Sequence, residues 1–168
     1  DHETAQIAIE ASLTGHLVLS TLHANDAPSA VTRLTEMDIE PFLVGSALDS
    51  VVAQRLARRL CDRCKAPAVY EIEQLRALGF LAPGDEMPAF FAPVGCTVCS
   101  NTGYRGRIAL HEVMTVTEEI ERLAVGRASS AEISRVAQQQ GMLTLRQDGF
   151  EKVKLGMTSV DEILRVVA

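Results

Sequence analysis

Apolar residues recur at helical spacing from Thr4 to Leu13, with Ile7, Ala8, Ala11 and Leu13 toward one face and Gly15 as the stop. The pattern then changes. His16-Leu17-Val18-Leu19-Ser20-Thr21 is a short, nearly continuous apolar run, and its length predicts a buried strand of the parallel kind. Asp26 or Ser29 is placed to cap the next helix, Pro28 suits its first turn, and Val31, Leu34 and Met37 give it an apolar stripe. Pro41 opens a further helical stretch in which Phe42, Leu43, Leu48, Val51 and Val52 are apolar. A helix, a strand and two more helices, with few hairpin signals, predict an α/β fold.

From Gln54 onward two readings stay open. Arg55-Leu56-Ala57-Arg58-Arg59-Leu60 either continues the helix or alternates as a strand. Arg107 to Val113 alternates more clearly and predicts a strand. Between them Pro67, Pro83, Pro88 and Pro93 gather with Gly79, Gly84 and Gly95, interrupted by a short helical pattern from Ile72 to Leu78. Residues 61–103 therefore read as a small inserted module. After Val113 the chain reads as helical to its end. Ser129-Ser130-Ala131-Glu132 and Ser159-Val160-Asp161-Glu162 match the capping box, and Gly141, Gly149 and Gly156 divide the region into short helices. The stretches expected are 1–60, 61–103, 104–116 and 117–168.

Composition narrows the functional classes. With 168 residues the chain is one domain, or one domain and a small module. An apolar content of 47% permits a sizeable core, and 4% aromatic residues with no Trp make that core one of Leu, Val, Ile and Ala. The net charge of −6 argues against a nucleic-acid groove, which needs clustered positive charge. Arg55, Arg58, Arg59, Arg63 and Lys65 form a local basic run suited to an anionic surface or to plain solvation. No apolar run reaches the roughly 18 residues that span a bilayer, and no signal-peptide pattern opens the chain. It begins at Asp1 without Met, which reads as a cut inside a longer protein.

The four cysteines fall into two C-x-x-C pairs, Cys61-Asp62-Arg63-Cys64 and Cys96-Thr97-Val98-Cys99. A two-residue gap lets both thiolates of one tight turn face a single ion, and two such turns complete a tetrahedron. Disulfides would need an oxidising compartment, for which nothing speaks. A thioredoxin-like redox site would use one pair and not two. An iron–sulfur cluster also takes four thiolates and stays open on spacing alone. Structural zinc is the favoured reading. With four sulfur ligands the metal keeps no open position for water, so its role is folding.

Gly15 to Asn25 carries the most specific signal. A strand-end Thr21 and His23 would lie at the carboxyl edge of a sheet, where open α/β folds bind ligands. Ser20-Thr21-Leu22-His23-Ala24-Asn25 resembles the histidine box of the type II secretion and type IV pilus assembly ATPases, with Ala24 where Thr is usual. Asp1-His2-Glu3-Thr4-Ala5 resembles the residues after that family's second phosphate-site motif. Ile39-Glu40-Pro41-Phe42-Leu43, Ala53-Gln54-Arg55-Leu56, Gly103-Tyr104-Arg105-Gly106-Arg107, Gly141 to Gly149 and Asp161 to Val166 resemble later blocks. The two cysteine pairs match the secretion and pilus-extension branch. No G-x-x-x-x-G-K-[ST] phosphate loop occurs in the sequence.

The resemblance implies the C-terminal part of a RecA-like P-loop NTPase domain, with an inserted tetracysteine zinc module and a C-terminal helical subdomain. It implies a motor that uses ATP and Mg2+ as a homohexamer, in the cytoplasm at the inner membrane, on platform proteins of a secretion or pilus machine. His23 would act near the γ-phosphate with Thr21 beside it. Arg33, Arg105 and Arg107 would meet ATP phosphates or a subunit interface. Cys61, Cys64, Cys96 and Cys99 would hold Zn2+. The rival class is a non-enzymatic zinc-ribbon interaction module, which accounts for the cysteines but not for Ser20–Asn25 or the tail.

Overall fold

Asp1 caps the first helix, α1 (His2–Leu13), by accepting the N–H of Thr4. The protein is seen here as a computed structural model that describes residues 1–81 and 86–167; Pro83 and Gly84, expected to form turns, lie outside the described residues. Asp26 caps α2 (Ala27–Glu36) through the N–H of Ser29, with Pro28 in the first turn, and Pro41 opens α3 (Pro41–Ala47). That third helix stops earlier than the apolar pattern predicts. Val51 and Val52 belong instead to β1 (Ser50–Leu60), which settles the helix-or-strand ambiguity after Gln54 in favour of strand. Their β-branched side chains suit a pleated surface.

The long partner of β1 is β4 (Tyr104–Thr115). Bonds from Cys61 N–H to the Gly103 carbonyl, and from Val116 N–H to the Asp49 carbonyl, tie opposite ends of the pair, so the strands run antiparallel. The structure is α/β in content, with two separate two-stranded sheets among the described residues. Residues 16–25 depart from expectation. They form no strand, and Leu17 and Leu19 are 84% and 88% exposed. A parallel strand exists only through a neighbour's ladder, and no described segment offers one here.

Two compact units result. The first comprises residues 1–53 and 112–144, the second residues 54–111 and 145–168. In the first, α5 (Glu118–Val125) packs on α3 and on α6 (Ser130–Gln139), which also meets α2. Val31, Ile39, Val44, Met114, Ile120 and Ile133 form its apolar centre. The full capping box is present at α6, where Ser129 and Glu132 satisfy each other's backbone N–H.

In the second unit α7 (Leu145–Lys154) packs on α8 (Val160–Val166). Gly149 does not divide helices as its spacing suggests. It lies inside α7, where an added Cβ would sit 2.9 Å from Ile163 Cγ2, so the missing side chain permits the close packing. The second expected capping box is only half formed. Ser159 accepts the Glu162 N–H at 3.2 Å, but the Glu162 carboxylate turns to two guanidinium groups, which are stronger donors than a backbone amide. No described helix is long and apolar enough to cross a membrane.

Candidate functional site

The C-x-x-C spacing becomes geometry through two tight turns. At the first, Cys64 and Lys65 N–H groups both return to the Cys61 carbonyl. At the second, a short 3-10 turn over Thr97–Cys99 brings the Cys99 and Asn101 N–H groups to the Cys96 carbonyl. The chain between is closed by a second ladder. β2 (Ala66–Ala68) pairs antiparallel with β3 (Phe90–Ala92), with Ala66 opposite Ala92, while Cys61 pairs with Gly103 on the other side. The short helix α4 (Ile72–Ala77) occupies the loop beyond, as its pattern predicts. Gly103 is required where it stands: its φ is +75° and a Cβ would fall 2.4 Å from Pro93 Cβ.

All four cysteine sulfurs lie within 4.8 Å of one another. Cys61–Cys96, Cys64–Cys99 and Cys96–Cys99 are 4.0, 3.8 and 3.7 Å apart, too far for disulfides, and all four are free. Four thiolates at about 2.3 Å from one tetrahedral ion would be ~3.8 Å apart. The residues therefore fit a single ion, and the space between them is too small for a multi-iron cluster. Backbone N–H groups point at the sulfurs: Gly95 at Cys64, and Cys96 and Gly103 at Cys99, at 3.2 to 3.3 Å. Such donors stabilise thiolates over thiols. Burial pushes the Cys99 thiol up, but the N–H groups of Cys96 and Gly103 outweigh it and hold the group at about 6. At Cys64 burial prevails and the thiol rises to about 11. The Cys64 and Cys99 thiols are thus pushed in opposite directions, and a cation beside them would favour the thiolate at both.

The other expected residues are dispersed. Thr21 and His23 lie exposed on segment 16–25 of the first unit, which has no regular secondary structure, and among the described residues neither side chain has a hydrogen bond or ion pair. Arg33, in the same unit, is an exposed helix residue paired with Glu36 at 3.1 Å. Arg105 and Arg107 are exposed on β4 in the second unit. Arg105 lines a depression of about 460 Å³ with Arg59, Asp62 and Arg63, beside the Cys61 turn. Within the basic run, Arg59 and Lys65 both pair with Asp62.

One cluster escaped sequence reasoning. Glu162 is 1% exposed and accepts from the Arg58 N–H at 2.9 Å, from Arg58 Nη2 at 2.7 Å and from Arg165 Nε at 2.8 Å. The Arg58 guanidinium also lies 4.1 Å from the centre of the Tyr104 ring, and the Tyr104 hydroxyl meets Ser159 Oγ at 2.8 Å. Burial pushes the Glu162 carboxyl up, but the Arg165 and Arg58 donors overcome that and bring it to about 2. Its partner Arg58 is 104 residues away, so no local pattern announces the pair. Lys65 was read only as part of a charge run. Its Nζ donates to the Gly156 carbonyl at 2.9 Å and lies over the Phe91 ring, tying the residue after Cys64 to the turn between α7 and α8.

With this geometry in hand, residues 1–165 match the family described as Type II/IV secretion system protein. The chain is 46% identical over 164 residues to the type IV pilus assembly ATPase PilB of Thermus thermophilus, covering 98% of this chain and 18% of that protein. It is 46% identical over 167 residues to type II secretion system protein E of Aeromonas hydrophila, covering 99% of this chain and 32% of that protein. It thus spans less than a third of the length of these relatives. Its fold resembles that of the pilus retraction motor PilT with bound ADP, at a TM-score of 0.62 and 18% identity, over 98% of this chain and 36% of that one.

Proposed function

We propose that this chain, which belongs to the Type II/IV secretion system protein family, is the C-terminal part of an ATP-hydrolysing motor that drives pseudopilus or pilus assembly. The match over residues 1–165, with relatives named as secretion and pilus-assembly proteins, supports the reading. In this reading residues 1–60 and 104–116 contribute to a RecA-like P-loop core, 61–103 form an inserted metal module, and 117–168 form a C-terminal helical subdomain. The parent works as a homohexamer in the cytoplasm, on platform proteins of the inner membrane.

Cys61, Cys64, Cys96 and Cys99 would hold Zn2+. With four sulfur ligands the ion supplies folding energy and leaves no position for water. His23 orients the terminal phosphate or the attacking water of Mg2+-bound ATP, with Thr21 beside it. Exposure on a segment without regular structure suits a residue whose partner is a ligand. Arg33, Arg105 and Arg107 are cations for phosphate charge, in their own subunit or across an interface. Phosphoryl transfer depends on such positioning and charge stabilisation more than on covalent chemistry.

ATPase assays on the full-length parent, with and without its membrane platform, test the proposal. Turnover that rises with the platform is expected. The 1–168 chain, which has no phosphate-loop motif, should neither hydrolyse ATP nor bind it measurably. Tight Mg2+-dependent ATP binding by this chain in a calorimeter would overturn the placement of the nucleotide site.

A further inference from the structure

Glu112 is a carboxylate on β4 with 3% of its surface exposed, and Oε1 accepts the N–H of Ala27 at 2.7 Å from 85 residues away. Ala27 is the first residue of α2 and is itself fully buried. The next residue, Pro28, has no N–H, and the Ser29 N–H is taken by Asp26 at 2.8 Å. The first donors of α2 are thus satisfied by one local carboxylate and one remote one. A helix N-terminus favours anions, and in a buried setting that preference is strongest. A Glu on an alternating strand would ordinarily face water. Here it points inward and serves a backbone amide.

The chain enters α2 from segment 16–25, which has no regular secondary structure and in which Thr21 and His23 are exposed. His23 lies four residues before Ala27, and four residues reach about 14 Å at most. Where α2 begins therefore limits where His23 can stand. We propose that Glu112 is a positioning residue: by holding the first amide of α2, it sets the point from which the His23 segment departs. This rests on the reading of His23 as the residue that acts at the terminal phosphate.

The test compares the full-length wild-type parent with Glu112→Ala, Glu112→Gln, Glu112→Asp, His23→Ala and Met114→Ala. Met114 is fully buried on the same strand and serves as a destabilised packing control. Glu112→Ala should lower kcat about 10-fold or more, with KM for ATP changed less than about 2-fold, as when a reacting group is misplaced. Glu112→Gln keeps an oxygen acceptor for Ala27 and should restore most of kcat. Glu112→Asp keeps the charge but withdraws the acceptor, so it should lose kcat; it decides the matter if the Ala variant does not fold. Met114→Ala should lower Tm and leave kcat per folded enzyme near wild type. Unchanged kcat in Glu112→Asp and Glu112→Ala, with kcat lost in His23→Ala, would overturn the inference alone. Loss in Met114→Ala as large as in Glu112→Ala would reduce Glu112 to packing and overturn it too. Unchanged kcat in His23→Ala would remove the reading of His23, and the inference with it.

Discussion

The tetracysteine turns and the histidine segment were both read from short motifs, yet the structure treats them in opposite ways. Cys61–Cys64 and Cys96–Cys99 are closed on each side by backbone pairing, Cys61 with Gly103 and Ala66 with Ala92, and their sulfurs converge to within 4.8 Å. Residues 16–25 have no ladder among the described residues, and Leu17 and Leu19 face outward. The difference shows what a motif by itself secures. Where spacing and turns complete the geometry, the motif is nearly a site. Where a motif needs neighbours on either side, it identifies residue types and leaves their placement open.

The largest effect should come from the metal. Elemental analysis of freshly purified protein is expected to give one zinc per chain. Chelation, Cys61→Ser or Cys96→Ser should unfold residues 61–103, because binding energies of about 10–16 kcal/mol for such sites are folding energy. Hydrogen exchange should show the loss concentrated in the second unit, reaching the α7–α8 turn through Lys65, with the first unit protected. Protein that contains little or no zinc yet is fully protected would break the comparison from its stronger side.

The next effect tests whether pairs distant in sequence also hold the second unit together. The Glu162 carboxyl lies at about 2, below its ordinary 4.5, so its contribution is fully present above pH ~4.5. It is lost as pH falls from there through about 2. A shift of this size corresponds to about 3 kcal/mol. Thermal melts of wild type and Glu162→Gln should therefore differ most near neutral pH and converge toward pH 2. A Tm difference that does not change with pH would mean the Arg58 and Arg165 pairs contribute nothing.

The smallest effect in energy sharpens the other side. On the reading proposed above, His23→Ala in the full-length parent should lower kcat about 10²-fold, near 2.7 kcal/mol, the scale of losing one positioned group. Tm should hardly move, since His23 is exposed and no described residue pairs with its side chain. A lower Tm with turnover kept would make His23 structural.

Much of the fold was legible where a signal is local. Asp26 with Pro28, Pro41 and the Ser129–Glu132 box marked helix starts, and the alternation from Arg107 to Val113 marked β4. Val51 and Val52 misled because a short apolar run after a helix fits either period until a partner strand is known. Gly149 misled because its purpose is contact with Ile163 and not a break. Ser159–Glu162 looked like Ser129–Glu132, and only the arrival of Arg58 separates them.

By itself the sequence determined the starts of α2, α3 and α6, the four cysteines in two tight turns and the family blocks, since each is set within a few residues by backbone sterics or chemical identity. Tertiary structure alone decided that Glu112 would hold the start of α2, that Glu162 would take Arg58 in addition to Arg165 of its own helix, and that Lys65 would tie the cysteine turn to Gly156. These bonds join residues far apart in sequence. Their partners are chosen by which polar groups are buried together once the strands pair and the helices pack, and a buried charge or amide must then take the donor or acceptor that packing brings within reach.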